Sequence, residues 1–222
     1  MAKTPNIITF LNCMVGFYSV TYTYAGNIGM ASALILLAIV LDGLDGRLAR
    51  REKKPSQFGV ELDSLSDIVS FGVAPAFLVY IHWFGGVDPL GLLLCSILVV
   101  CGITRLARFN VTGPQDHFEG LPIPVAAGFL ALASMLGRPT ESLAIFFVVM
   151  LAVLMVAWSL EYPSLKTKDT GEIRVLLVVC LLTGVTTLYI SENLFSFLFG
   201  VILGYISFAP LIRCVSTAKR GE

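Results

Sequence analysis

The sequence predicts an all-α protein: a polytopic integral membrane helix bundle of about eight transmembrane helices, preceded by a short amphipathic N-terminal segment. Three features lead there. Of the 222 residues, 56% are hydrophobic and 14% charged, with a mean hydropathy of +0.85; that is more apolar surface than a soluble domain of this length needs. The apolar residues gather into eight windows punctuated by turn-forming residues. The basic residues cluster at alternate ends of those windows, as in chains that cross a bilayer repeatedly.

Measured against the roughly 20 residues a helix needs to cross the hydrocarbon, the windows fall at 8–25, 29–50, 60–83, 89–106, 122–136, 141–160, 172–190 and 193–214. The fifth is short. "AGN", "KKPSQ", "GGVDP", "GPQD" and "GRPTE" separate the first six. The opening "MAKTPN" runs straight into the first window, so no cleavable signal peptide is expected. Gly and Pro inside the windows are compatible with membrane helices whose freed backbone groups find other partners. Without a repeat or a composition shift, residues 1–222 read as a single domain whose chemical motif lies at 42–67.

Lys3, the group from Arg47 to Lys54, Arg105 with Arg108, Lys166 with Lys168 and Arg174, and Arg213 with Lys219 and Arg220 all sit at one set of window ends; Arg138 sits at the other. By the positive-inside rule both termini and the second-to-third, fourth-to-fifth and sixth-to-seventh connections face the cytoplasm of a multi-pass cell-membrane protein. This pattern requires an even number of crossings. The 15 basic and 15 acidic residues balance, and no nucleic-acid partner is expected. Cys13, Cys95, Cys101, Cys180 and Cys214 stand singly with no CxxC pair, and read as small buried hydrophobes. His82 and His117 also stand alone; Tyr80, Trp83 and Trp158 fit an interfacial belt.

The exception to this apolar text is "VLDGLDGRLARREKKPSQFGVELDSLSDIVSFG", residues 40–72. A carboxylate inside a bilayer costs several kcal/mol and requires a partner, an ion or water. Asp42 and Asp45 are three apart and Asp63 and Asp67 four apart, so on helices each pair shares a face. A tight connection brings the two pairs together as a nest of four carboxylates, which repel unless a cation joins them. With oxygen ligands and no Cys or His nearby, Mg²⁺, Mn²⁺ or Ca²⁺ fits better than zinc, and four carboxylates are enough for two ions. Gly46 and Gly59 leave room for a close ligand or backbone. Arg50 and Arg51 are placed to hold phosphate oxygens. Carboxylates, a divalent ion, glycine and arginine together point to a bound polyphosphate and to displacement at phosphorus.

Residues 42–67 match the signature D-x2-D-G-x2-A-R-x8-G-x3-D-x3-D at each fixed position: Asp42, Asp45, Gly46, Ala49, Arg50, Gly59, Asp63 and Asp67. The chain thereby resembles the CDP-alcohol phosphotransferase family. The resemblance implies that Asp42, Asp45 and Asp63 ligate two divalent cations, and that Asp67 completes the metal site and acts as the catalytic base on the incoming alcohol. It also implies a CDP-lipid pocket lined by Gly46, Ala49, Arg50 and Gly59 together with Asp45, and a homodimer. The N-terminal "PNIITFLN", with Asn6, Thr9 and Asn12, resembles the family's segment that closes over the cytidine.

The extensions "LDSLSDIVSFGVAPA" (62–76), "RLARFN" (105–110) and "GLPIP" (120–124) resemble the phosphatidylserine synthase branch. The activity this implies is transfer of a phosphatidyl or archaetidyl group from CDP-diacylglycerol or CDP-archaeol to L-serine, with CMP as product. Arg105 and Arg108 are suited to the acceptor's carboxylate or to phosphate, and Asn110 to its polar groups; plain positive-inside anchoring is the competing explanation for both arginines. Glycerol 3-phosphate or inositol phosphate are the alternative acceptors within the family. A divalent-cation transporter would place its carboxylates near the midplane in paired halves, whereas these lie at one edge of one half. Salt bridges to Arg47, Arg50 and Arg51 are the purely structural alternative. Ser64, Ser66 and Ser70 read as packing hydroxyls, since no base accompanies them.

Overall fold

A computed structural model describes residues 4–51, 57–112, 117–157, 161–163, 170–191 and 193–220, with side chains described for 6–47, 57–112, 120–157, 176–187 and 193–210. Its helices are α1 (Thr4–Tyr24), α2 (Ile28–Arg51), α3 (Gln57–Asp67), a π-helical segment (Ile68–Val73), α4 (Ala74–Trp83), α5 (Pro89–Thr112), α6 (Ile123–Leu136), α7 (Glu141–Val156), α8 (Thr170–Ser191) and α9 (Leu194–Arg220). Each expected window holds a helix, and the third is the continuous run from α3 through α4.

The first element departs from expectation. No separate amphipathic segment precedes the first helix among the described residues, because nothing breaks α1 between Pro5, tolerated in a first turn, and Gly26 at φ 78°. Asn27 then accepts the Met30 N–H at 3.1 Å and starts α2. Asp88 does the same for α5, taking the Gly91 N–H at 2.8 Å, with Pro89 as the first helical residue. α5 continues to Thr112, six residues past the expected end at 106, so Arg105, Arg108 and Asn110 all lie on one helix.

The π segment has a local cause. Pro75 supplies no N–H and crowds the carbonyl four residues before it; just ahead of it the backbone widens, and the Ala74 N–H bonds Val69 O. Such bulges rotate the following side chains around the helix axis. Here Ser70, Phe71 and Gly72 are buried consecutively.

α6 forms the centre of the bundle: Ala126 to Ser134 are all buried, as expected of a helix apolar on every side, and α2, α4 and α9 pack around it. Phe129 meets Phe147 of α7 at 5.1 Å and Phe199 of α9 at 4.9 Å between ring centroids. α1 lies against α2 and against the α3–α4 run, α5 against α7, and α8 against α9. Two short strands, β1 (His117–Glu119) and β2 (Glu161–Pro163), pair antiparallel with Phe118 opposite Tyr162. This ribbon joins the connection after α5 to the one after α7, so both lie at one end of the bundle, as their shared basic character led one to expect.

Among the described residues, three helical stretches are long and apolar enough to cross a membrane: Ile28–Arg47, Gln57–Trp83 and Pro89–Thr112. Ile123–Leu136, Glu141–Val156, Leu176–Thr187 and Leu194–Pro210 are shorter apolar helical stretches.

Candidate active site

The aspartates gather where α2 ends and α3 begins. Carboxylate oxygens of Asp42, Asp63 and Asp67 lie within 4.8 Å of one another. Among the described residues, Asp63 Oδ1 and Asp67 Oδ1 are buried without a hydrogen-bond partner. Carboxylates held this close repel, and each orphaned buried oxygen is costly to leave unsatisfied. An oxygen-liganded divalent cation relieves both penalties at once, so the donor set fits Mg²⁺ or Mn²⁺.

Asp45 stands apart from these three. Three residues after Asp42, it is turned roughly 60° around the helix axis. It is buried, and its Oδ2 accepts a 2.9 Å hydrogen bond from Thr9 Oγ1 on α1. It remains within electrostatic range of Asp63 and Asp67. The four-carboxylate nest expected from spacing is thus a cluster of three with Asp45 beside it, facing α1.

α1 carries Asn6, Thr9 and Asn12, spaced by three and all buried, of which Thr9 reaches Asp45. Asn12 is fully inaccessible, and neither its Nδ2 nor its Oδ1 has a partner among the described residues. Two hydroxyls hold α1 to the adjoining run: Ser66 Oγ donates to Thr9 O and Ser70 Oγ to Asn12 O, each at 3.0 Å. Gly16 permits the approach, since a Cβ there would lie 2.7 Å from Ser70 Cα. Ser66 and Ser70 are therefore packing hydroxyls, as their lack of a base suggested. The role of Gly16 was missed; its only sequence signal is a small residue one helical turn beyond Asn12.

Gly46 and Gly59 are half-buried near the cluster, and the Gly46 backbone N–H bonds Asp45. Ala49 and Arg50 lie on the last turns of α2, and their side chains fall outside the described residues.

The three polar residues expected near the acceptor share α5 but point to different partners. Arg105 is buried, within electrostatic reach of Asp67 and of Tyr205 on α9; Tyr205 was not singled out in the sequence, where it sits in an apolar window. Arg108 Nη2 donates to Val156 O at 3.3 Å, at the end of α7, where orphan carbonyls favour a cation. Asn110 Nδ2 donates to Ser64 Oγ at 2.9 Å, and the Ser64 hydroxyl lies 3.2 Å from Asn110 Oδ1. Asn110 thus links α5 to the residue that follows Asp63.

A family model described as CDP-alcohol phosphatidyltransferase matches residues 2–160, a span that contains all of these groups except Tyr205. Over 172 residues the chain is 37% identical to the CDP-diacylglycerol-serine O-phosphatidyltransferase of Helicobacter pylori, covering 73% of this chain and 72% of that protein. It is 42% identical over 164 residues to the archaetidylserine synthase of Methanothermobacter thermautotrophicus, covering 72% and 69%. A CDP-diacylglycerol-serine O-phosphatidyltransferase of Methanocaldococcus jannaschii is 37% identical over 161 residues, covering 72% and 74%.

Proposed function

The chain belongs to the CDP-alcohol phosphatidyltransferase family, and from that premise we propose that it transfers a phosphatidyl or archaetidyl group from a CDP-activated lipid to the hydroxyl of L-serine, releasing CMP. The observation that carries this reading is the Asp42, Asp63 and Asp67 cluster with buried Arg105 within electrostatic reach of Asp67, in a chain whose relatives bear serine-transferase names. The acceptor assignment follows those names and the α5 arginines; the phosphoryl chemistry follows the aspartates.

Asp42, Asp63 and Asp67, with Asp45 beside them, would hold two divalent cations, Mg²⁺ or Mn²⁺. Bound there, the cations would polarise the donor's diphosphate and offset the charge of departing CMP. Asn6, Thr9, Asp45, Gly46, Ala49, Arg50 and Gly59 line the CDP end of the donor. Asp67 accepts the proton of the serine hydroxyl as the serine oxygen attacks the β-phosphorus, and the bond from that phosphorus to CMP breaks on the opposite face. Arg105 lies where a carboxylate of the acceptor gains a charge-assisted contact while its hydroxyl reaches Asp67. Arg108 and Asn110 support that end of the site through Val156 and Ser64.

The remaining apolar helices cross the membrane as well, giving about eight crossings in one domain. Both termini and the aspartates face the cytoplasm, and the protein is a homodimer. The test is CMP release by purified protein with CDP-diacylglycerol or CDP-archaeol and Mn²⁺ or Mg²⁺, with L-serine, glycerol 3-phosphate and inositol phosphate offered separately. Stimulation by serine alone is expected. Stimulation by another acceptor would overturn the serine assignment, and absence of metal-dependent CMP release with both donors would overturn the transferase reading.

A further inference from the structure

α3 carries two of the three clustered aspartates, yet burial does little to fix its rotation about its own axis. Its larger apolar side chains Phe58, Val60 and Leu65 are 64%, 45% and 63% exposed, and a side chain without packed neighbours selects no rotation. Its hydroxyls do. At about 100° per residue, Asp63 and Asp67 lie roughly 40° apart around the helix, Leu65 projects to the opposite side, and Ser64 and Ser66 fall on the two flanks. Ser66 Oγ donates to Thr9 O of α1 at 3.0 Å. On the other flank Asn110 Nδ2 of α5 donates to Ser64 Oγ at 2.9 Å, and the same hydroxyl lies 3.2 Å from Asn110 Oδ1. Both ends of one amide therefore meet one hydroxyl, across 46 residues of sequence. The aspartate face of α3 is thus held between α1 and α5.

We propose that Ser64 and Asn110 form a positioning pair that fixes the rotation of α3 and, with it, the placement of Asp63 and Asp67 as metal ligands. A rotation of about 10° carries a group at the helix surface, about 5 Å from the axis, through roughly 0.9 Å. Metal–ligand distances hold to within about 0.2 Å, so a rotation of that size is enough to spoil a site. The bond from Ser66 alone leaves α3 free to pivot about one flank; a second bond on the opposite flank resists rotation in either sense. Groups that orient metal ligands from behind typically change metal affinity or activity by about 10–100-fold when removed. Asn110 in this role acts on α3 and does not touch the acceptor. The assignment rests on the proposed metal site and adds to it what holds two of its ligands in place.

The test reads Mn²⁺ binding directly, by the free-Mn²⁺ signal in electron paramagnetic resonance, on the full chain in detergent without substrates. Ser64→Ala keeps a strong helix former on α3 and should raise the Kd for Mn²⁺ about tenfold, with Asn110→Ala doing the same from the other side. The double variant should be no worse than either single one, because both remove one interaction. Ser64→Thr keeps the hydroxyl and should bind Mn²⁺ within about twofold of the unmodified protein. With Mn²⁺ saturating, KM for L-serine should stay within about twofold in Ser64→Ala and Asn110→Ala alike. A fall in Tm at unchanged Mn²⁺ Kd would make the bond one of packing only and overturn the proposal. A rise in serine KM confined to Asn110→Ala, again at unchanged Mn²⁺ Kd, would overturn it by giving Asn110 to the acceptor. Failure of the unmodified protein to bind Mn²⁺ would overturn the metal site itself and this proposal with it, whereas normal binding that neither variant weakens would remove the positioning pair alone.

Discussion

Thr9 on α1 donates a 2.9 Å hydrogen bond to Asp45 on α2, across 36 residues of sequence. The bond fixes the buried carboxylate that stands beside the cluster of three and joins α1 to the helix carrying half of the signature. Hydrogen bonds to charged groups contribute about 1.5–3 kcal/mol. Thr9→Val should therefore lower kcat/KM for the CDP-lipid by about tenfold or more, while Thr9→Ser keeps most of it. Steady-state kinetics of the two variants checks this, and equal activity in Thr9→Val would show that the bond has no part in donor binding.

The cluster of three carboxylates could hold a cation, and without one its charges repel. Asp63→Asn removes one of three mutually repelling charges, so the variant without metal should melt higher than the unmodified protein without metal. For a chain of this size each ~1 kcal/mol of relieved repulsion raises Tm by about 2–4 °C. Saturating Mn²⁺ should raise Tm of the unmodified protein and leave Asp63→Asn nearly unmoved. Thermal unfolding with and without EDTA measures both; an unchanged Mn²⁺ response in the variant would remove Asp63 from the ligand set.

Asp67 combines a buried oxygen that has no partner among the described residues with Arg105 within electrostatic reach. As the proposed base it should account for a factor of about 10²–10⁴ in rate. Asp67→Asn is expected to reduce kcat by at least about 10²-fold. Near-normal turnover in that variant would return the base assignment to another group.

The sequence made much of this legible because two kinds of signal are local. Helix positions follow from apolar runs and turn residues, and the aspartate faces from spacings of three and four. What it did not convey depends on neighbours far away in the chain. Nothing at Asp45 indicates that Thr9 draws it aside, and nothing at Asn110 indicates that Ser64 occupies its amide. The separate N-terminal segment failed as an expectation because an amphipathic face does not end a helix; only a breaker does, and the first comes at Gly26. The widened turn ahead of Pro75 was within reach, since a proline inside a long apolar helix requires some local adjustment.

Gly16 and Ser70 offer a test of that widened turn as a support for the site. A Cβ at position 16 would lie 2.7 Å from Ser70 Cα, so Gly16→Ala must push α1 off the π segment and, with it, Thr9 from Asp45. We expect Gly16→Ala to destabilise the protein by about 1–3 kcal/mol, the usual range for overpacking, and to lower kcat/KM. Ser70→Gly trims the side chain but not the crowded Cα and should restore only part of the loss. Additive effects in the double variant, measured by Tm and kinetics, would show that the two positions do not oppose one another.

Asn12 distinguishes function from packing most directly, because the two roles predict opposite signs. Its amide is wholly inaccessible and makes no hydrogen bond among the described residues, while its backbone carbonyl takes the Ser70 hydroxyl. A buried amide left unsatisfied costs about 1–3 kcal/mol, and an apolar replacement of similar shape removes that cost. Asn12→Leu should therefore raise Tm by a few degrees. If the amide is kept for the donor, or for a water that the donor positions, the same variant should lose about tenfold in kcat/KM for the CDP-lipid, with KM for serine unchanged. Higher stability at undiminished activity would assign Asn12 no part in the reaction; lower stability would mean that a water already satisfies the amide in the resting protein.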